Sequence, residues 1–244
     1  MLEVFAREQR ELSNSELARF LKMPESSCSD LVHTLLESGY LMRTLNSRRL
    51  YPTGRLLSVG QRIAANDPIL AAAQEACDRL RDSTSETALC GRLEQGFVRI
   101  LAASEGLHQL RYTANPGEKL AVHVSAMGKM ILSLGTPEDA VRQLQLKPLR
   151  QLAGATVTDV DGLMKQIAKA GKQGWCLVEN EGGDDLAALS VPVQLSNTRV
   201  AISVTGPVGR LRTNREAYLA ALREIQQALS PTVPAAEPAR APRR

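Results

Sequence analysis

A chain of 244 residues, 43% of them apolar, is longer than one typical compact domain and rich enough in aliphatic side chains to build packed cores, which excludes a disordered or fibrous class. Aromatic residues make up only 3%, which excludes the base-stacking platforms of single-strand nucleic-acid binders and leaves duplex DNA as a possible partner. A net charge of +4 is no more than solubility requires, and four cysteines with no C-x-x-C pair provide no zinc or disulfide framework.

The charge is unevenly placed. Residues 1 to 40 carry Arg7, Arg10, Arg19 and Lys22 against seven acids, a net −3, whereas residues 41 to 62 carry Arg43, Arg48, Arg49, Arg55 and Arg62 with no acid, a net +5. The opening stretch "LEVFAREQ" has an apolar helical face, and "SNSELARFL" offers Ser13 or Asn14 as a helix cap with Glu16 in the first turn. After a turn at Lys22 and Met23, Pro24 leads a further helix with Cys28, Leu31, Val32, Leu35 and Leu36 on one stripe, closed near Gly39. Two β-compatible runs, Tyr40 to Leu45 and Arg49 to Tyr51, flank the turn-prone Asn46 and Ser47. Helix, turn, helix and hairpin together predict a winged helix-turn-helix over residues 1–52. Its Pro24-led helix carries Glu25, Asp30 and Glu37 and no base from Pro24 to Leu41, so attraction to a polyanion must come from the wing arginines Arg43, Arg48 and Arg49.

Residues 53–68 predict a linker helix ending at Asp67-Pro68. From 69 to 230 helices alternate with strands. "PILAAAQEACDRLRDST", "AMGKMILSLG", "PEDAVRQL", "VDGLMKQIAKAGKQG" and "NREAYLAALREIQQALS" read as helices, and "ETALCGRL", "FVRILAAS", "HQLRYTA", "WCLVENE", "LAALSVPVQL" and "RVAISVTGP" as strands. This predicts an α+β domain, an antiparallel sheet flanked by helices. The Pro- and Ala-rich residues 231–244 are expected to be a disordered tail. No run of about 18 apolar residues and no basic segment ahead of an apolar one occurs, so neither a membrane span nor a signal peptide is expected, and the chain is read as cytoplasmic with reduced, buried thiols.

The motifs of enzymes are missing. There is no G-x-S-x-G, G-x-G-x-x-G or H-E-x-x-H, and Gly128-Lys129 lacks the spacing of a P-loop. Asp184-Asp185 reads as a solvated loop rather than a metal site, and no cofactor is expected. His123 and Ser125 would share a face of a strand, which leaves a hydrolase as an alternative reading, although no acid in the sequence orients the imidazole; a structural histidine bonded to a loop is the other reading.

Joined to the winged-helix signals, the stretches "NPGEKLAVHVSAMGKMILS", "KQGWCLVENEGGDDLAALSVPV" and "AISVTGP" make the chain resemble the IclR family of bacterial transcriptional regulators along nearly its whole length. His123, Ser125, Gly128 and Lys129 meet one family motif; Gly174, Glu179, Glu181, Gly182 and Pro192-Val193 meet the other. The resemblance implies a DNA-binding domain joined by a linker helix to a GAF-like effector domain, in a homodimer or homotetramer on a palindromic duplex operator, controlled by a small-molecule effector and without a membrane partner. It also implies a natural start upstream of "LEVFA". Carried over by position, the ligand-lining residues are Tyr112, Leu120, Ala126, Met127, Val178, Leu186, Ala188, Ser203 and Thr205, with the backbone N–H groups of the "SAMGK" turn suited to an anionic ligand group. Relatives that bind small keto acids have Asp and Cys where this chain has Val178 and Ala188. Those two residues either make the pocket less polar and roomier, favouring a larger, more apolar or aromatic ligand among the small organic acids that control catabolic genes, or are ordinary sheet core.

On the DNA side the expected contacts are Ser26, Ser27, Ser29, Asp30 and His33 on the Pro24-led helix, with Arg43, Arg48 and Arg49 on the wing. Family members usually carry a base at the Asp30 position; here Asp30 either accepts from cytosine N4 or is an uninvolved carboxylate. A DNA-binding scaffold without ligand is a further alternative.

Overall fold

Ser13 and Glu16 show how local chemistry starts the fold. The Ser13 hydroxyl accepts the Glu16 N–H at 3.2 Å while the Glu16 carboxylate accepts the Ser13 N–H at 2.8 Å, a reciprocal cap that opens a helix. The computed structural model describes residues 1–64, 66–195 and 198–229, so the tail expected at 231–244 lies outside the described residues. The chain divides into two units, Met1–Asp67 and one from Pro68 onward.

In the first unit, α1 (Leu2–Glu8), α2 (Asn14–Leu21) and α3 (Glu25–Glu37) precede the antiparallel pair β1 (Leu41–Arg43) and β2 (Leu50–Pro52), and α4 (Arg55–Ala64) follows. The core is Val4, Phe5, Leu12, Leu17, Ala18, Cys28, Val32, Leu41 and Leu50. Leu12 and Leu50 also exchange backbone hydrogen bonds of 3.0 and 2.8 Å, which tie the α1–α2 connection to the wing. Gly39, at φ +70, closes α3: its N–H reaches the Leu36 carbonyl and the Tyr40 N–H reaches that of Leu35, satisfying two carbonyls the helix would leave open.

Two expectations need correction here. Leu31 is 38% exposed and does not join the buried stripe, because it lies on the flank between Cys28 and Val32 and the outward face. The first strand is shorter than expected and the second is shifted by one residue, because Thr44 and Arg49 already bond across the turn and Arg48 adopts φ 53. The linker helix spans Arg55–Ala64 within the expected 53–68, and it buries none of its residues.

The second unit opens with α5 (Pro68–Thr84). The strands β3 (Thr87–Glu94), β4 (Phe97–Ser104), β5 (Lys119–Ala121), β6 (Cys176–Glu179), β7 (Leu186–Leu195) and β8 (Thr198–Pro207) form one antiparallel sheet, ordered β5-β4-β3-β8-β7-β6. Helices α6 (Ala126–Leu132), α7 (Pro137–Gln145), α8 (Val160–Gln173), α9 (Val208–Thr213) and α10 (Arg215–Leu229) complete it. Alternation along β4 sends Val98 and Ile100 to one face and Leu101 to the other, so each face carries its own apolar core. The face under α5 and α10 packs Cys77, Leu80, Leu189, Val191, Ile202 and Leu222; the face under α6 and α8 packs Leu89, Ile100, Met127, Met130, Leu163 and Ile167.

The expected strand "HQLRYTA", residues 108–114, is not a strand. The edge of β4 that it would have used is occupied by β5, in the register Phe97 to Ala121 and Arg99 to Lys119. Of its alternating apolar residues Leu110 is 68% exposed, whereas Tyr112 and Ala114 pack on the core under α6 and α8 without pairing as a strand. Helix α9 and the short 3-10 turn Val122–Val124 had no counterpart in the sequence reading. Among the described residues no helix is long and apolar enough to cross a membrane.

Candidate functional site

The first unit presents Ser26, Ser27, Ser29, Asp30 and His33 on the exposed side of α3, opposite Cys28 and Val32. Ser29 Oγ accepts from Asn14 Nδ2 at 2.9 Å, so α2 orients it, and His33 Nε2 stands 3.3 Å from Glu37 Oε1 one turn on. The Asp30 carboxylate is exposed and has no partner among the described residues. Burial pushes the Cys28 thiol up, so it sits neutral in the core.

The three wing arginines are not equivalent. Arg43 Nη1 reaches the Arg48 carbonyl at 3.4 Å and braces the turn, and Arg49 Nη2 lies 3.4 Å from Glu16 Oε2. The backbone hydrogen bond from Ser13, helped by Arg10, holds the Glu16 carboxyl down at about 2, so Glu16 stays an anion and offsets part of the Arg49 charge. Arg48 is exposed, and its guanidinium has no partner among the described residues. The pairing of Glu16 with Arg49 had no sequence signal, because the two lie on separate elements.

In the second unit a cavity of about 210 Å³ opens between the sheet and the start of α6. Eight of the nine ligand-lining residues expected from the resemblance meet there: Tyr112, Leu120, Ala126, Met127, Leu186, Ala188, Ser203 and Thr205. Val178 does not. It pairs in register with Ala188, but on the outer strand β6 it is buried in the core under α6 and α8 and does not open to the cavity. Leu89, Lys119, Leu152 and Gly182 line the cavity unpredicted. Strand alternation could have revealed Leu89, which pairs with Ser203 across β3 and β8, whereas Leu152 comes from a loop with no periodicity.

The cavity is apolar with few polar groups. Ser203 Oγ is buried and has no hydrogen-bond partner among the described residues, an arrangement that costs free energy until something fills it. Burial holds the Tyr112 phenol above its usual range, so it is a neutral hydroxyl. Lys119 is exposed at the rim. Of the "SAMGK" backbone donors the Gly128 N–H is already used, since Ser125 caps α6 by accepting it at 3.2 Å. Gly128 is required there, since a Cβ would collide with the Val122 carbonyl oxygen.

His123 is buried and its Nε2 lies 2.9 Å from the Arg150 carbonyl, while Ser125 Oγ serves the helix cap. Each has a structural partner, and no His–Ser hydrogen bond links them among the described residues. Beside them Lys129 Nζ and Glu181 Oε2 form a buried ion pair at 2.5 Å, with Gln166 Nε2 on the other carboxylate oxygen at 3.2 Å. This pair anchors the segment whose next residue, Gly182, walls the cavity. Among the described residues no group of three His, Cys, Asp or Glu is placed to hold a metal; Asp184 accepts from the Gly154 N–H at 3.4 Å.

Comparison with known proteins finds two family matches along the chain. The family described as "IclR helix-turn-helix domain" matches residues 1–44, and "Bacterial transcriptional regulator IclR C-terminal" matches residues 61–231. The chain is 24% identical over 214 residues to the Pca regulon regulatory protein of Pseudomonas putida, covering 86% of this chain and 73% of that protein. It is 26% identical over 233 residues to the regulator BhcR of Paracoccus denitrificans, covering 93% and 84%. Among solved structures, an IclR transcriptional regulator from Silicibacter aligns with a TM-score of 0.68 at 21% identity, over 90% of this chain and 88% of that one. An IclR homologue from Microbacterium hydrocarbonoxydans, solved with 4-hydroxybenzoate, aligns with a TM-score of 0.57 at 21% identity over 89% and 92%.

Proposed function

Because this chain belongs to the IclR family of bacterial transcriptional regulators, we propose that it binds a palindromic operator as a cytoplasmic homodimer or homotetramer and answers to a small aromatic acid. It is a DNA-binding regulator with a ligand-binding C-terminal domain; the aromatic ligand, the assembly and the control of catabolic genes are our reading. The observation that carries the ligand class is the buried, unpartnered Ser203 hydroxyl in an otherwise apolar cavity with Lys119 at its rim. An aromatic acid supplies a flat apolar body for Leu89, Met127 and Leu186, a polar group for Ser203, and a carboxylate for Lys119. Ala188, where small-acid binders place a cysteine, keeps that cavity wall apolar. The 4-hydroxybenzoate held by the Microbacterium homologue supports the choice.

A thermal-shift series with 4-hydroxybenzoate, benzoate and acetate tests this on the full chain. The two aromatic acids should raise Tm and acetate should not. Ser203→Ala should weaken 4-hydroxybenzoate roughly five- to tenfold, the loss of about one hydrogen bond. A response to acetate alone would overturn the aromatic reading, and no response to any organic acid would favour a scaffold without ligand.

On DNA, α3 is placed in the major groove of each half-site, with Ser26, Ser27, Ser29 and His33 toward base edges and phosphates and the wing arginines on the backbone; half-sites lie about one helical turn or a small multiple apart. Asp30 is read as an uninvolved carboxylate, since nothing intramolecular engages it. Asp30→Arg is then expected to raise affinity for all duplexes with the preferred sequence unchanged, measured by selection from a randomised duplex pool. A new preferred base would mean that Asp30 reads the groove. Ligand binding is proposed to shift the population of effector-domain arrangements and so the spacing of paired reading heads through α4, whose unburied Leu57 and Ile63 suit a helix that packs on a second copy.

A further inference from the structure

The segment between β4 and β5 forms one wall of the cavity without belonging to the sheet, and it is held in an unusual way. Tyr112 and Ala114 pack on the core under α6 and α8, but Leu107 and Leu110 point outward at 67% and 68% exposure, so hydrophobic burial does not fix residues 105–110. Polar contacts do. The Leu107 N–H reaches the Ser85 carbonyl at 2.9 Å, and Thr87 Oγ1 accepts the Gly106 N–H at 2.9 Å while donating to the Tyr112 carbonyl at 2.5 Å. Arg210, from α9, closes the arrangement. Its Nε and Nη2 donate to the two oxygens of Glu86 at 2.5 and 2.8 Å, and Nη2 also donates to the Leu110 carbonyl at 2.8 Å.

Glu86 is fully buried, with the Tyr218 hydroxyl at 3.4 Å from Oε1 and His108 Nε2 at 3.9 Å as its other polar neighbours. Space for the carboxylate exists because position 206 is glycine; a Cβ there would collide with Glu86 Oε2. A buried carboxylate is tolerable only when paired, so the carboxylate fixes where the guanidinium sits. The planar fork can serve both carboxylate oxygens and one carbonyl at once, which an ammonium cannot do with the same geometry. The hydrogen bond to Glu86 raises the affinity of Arg210 for its proton, so the guanidinium stays charged at neutral pH. Arg210 does not line the cavity, whereas Tyr112, two residues beyond Leu110, does.

We propose that Arg210 is a positioning residue for the ligand cavity: clamped by Glu86, it holds the 105–112 segment against the sheet so that Tyr112 stands in the cavity wall. The functional part of the proposal rests on reading that cavity as the ligand site. It makes α9, and the N-terminal half of α10 through Tyr218, part of the apparatus that sets ligand affinity without touching the ligand.

The test uses the full chain with Arg210→Lys, which retains a cation beside Glu86 but cannot also hold Leu110. Amide hydrogen exchange without ligand is the first readout. The amides of Gly106 and Leu107, which donate the segment's hydrogen bonds, should exchange at least roughly tenfold faster than in wild type, as expected when a charge-assisted hydrogen bond that holds a segment is lost. Those of β7 and β8 should be unchanged, and trypsin should cut faster after Arg111. Calorimetric titration with 4-hydroxybenzoate is the second readout, with a Kd raised about tenfold and duplex affinity without ligand unchanged. Unaltered exchange at Gly106 and Leu107 in a folded variant overturns the clamp. Faster exchange with an unchanged Kd overturns its role in affinity. If wild type takes up no 4-hydroxybenzoate, the aromatic-acid reading fails while the exchange result still decides the clamp. Should Arg210→Lys not fold, Glu86→Gln, which keeps the shape and removes the charge, gives the same comparison.

Discussion

Lys129→Met is expected to destabilise the C-terminal unit by about 3–5 kcal/mol, because it leaves the Glu181 carboxylate buried without a cation. Both side chains are almost wholly enclosed, so solvent does little to screen the loss. Gln166 Nε2 would remain on one oxygen, but one neutral amide does not replace an ammonium. For a unit of this size the loss corresponds to melting roughly 10 °C earlier, read by calorimetry. The paired replacement Lys129→Met with Glu181→Leu should recover most of it, since two apolar residues of similar volume remove both desolvation costs together. A single-variant loss below about 1 kcal/mol would mean that water reaches the pair and that the segment around Gly182 is not anchored as described.

Arg48→Ala with Arg49→Ala is expected to weaken binding to every duplex alike and to flatten the dependence of affinity on salt. Each phosphate contact contributes about 0.9 to that slope, so losing both should leave the variant roughly tenfold less sensitive between 0.05 and 0.2 M salt. The geometry divides the effect unequally. Arg48 is unpartnered among the described residues and should account for most of it, whereas Arg49 is already drawn to Glu16, so Arg49→Ala alone should have the smaller effect. Fluorescence anisotropy with random and operator duplexes at four salt concentrations distinguishes these. Equal slopes for wild type and the double variant would remove the wing from the DNA interface, and a loss confined to one sequence would make it a base reader.

The parts of the fold that were legible are those set by neighbours in the chain. The Ser13 and Glu16 cap is three residues wide, and Gly39 ends α3 because an L-residue resists its φ of +70. The strands β4 and β7 match their predicted runs at both ends, because strict alternation between two buried faces leaves little choice of register. The run His108 to Ala114 has β-compatible residues and is not a strand, because the backbone edge it needed was taken by Lys119–Ala121. Composition cannot show which of two segments wins an edge.

The sites divide in the same way. The family resemblance implied the eight positions that converge on one cavity, and the polar groups of the Pro24-led helix and the arginines of the wing could be read from the residues. Their electrostatic state could not, because it depends on partners far apart in the chain. Glu16 meets Arg49, Lys129 meets Glu181 across 52 residues, and Glu86 meets Arg210 across 124. Local propensity, period and motif were enough for the winged helix-turn-helix, five of the six strands of the sheet and the family. Only the tertiary structure decided that Val178 is core, that Ser203 is left without a partner and that Arg48 is the unpaired arginine of the wing, because burial and pairing are properties of what packs alongside.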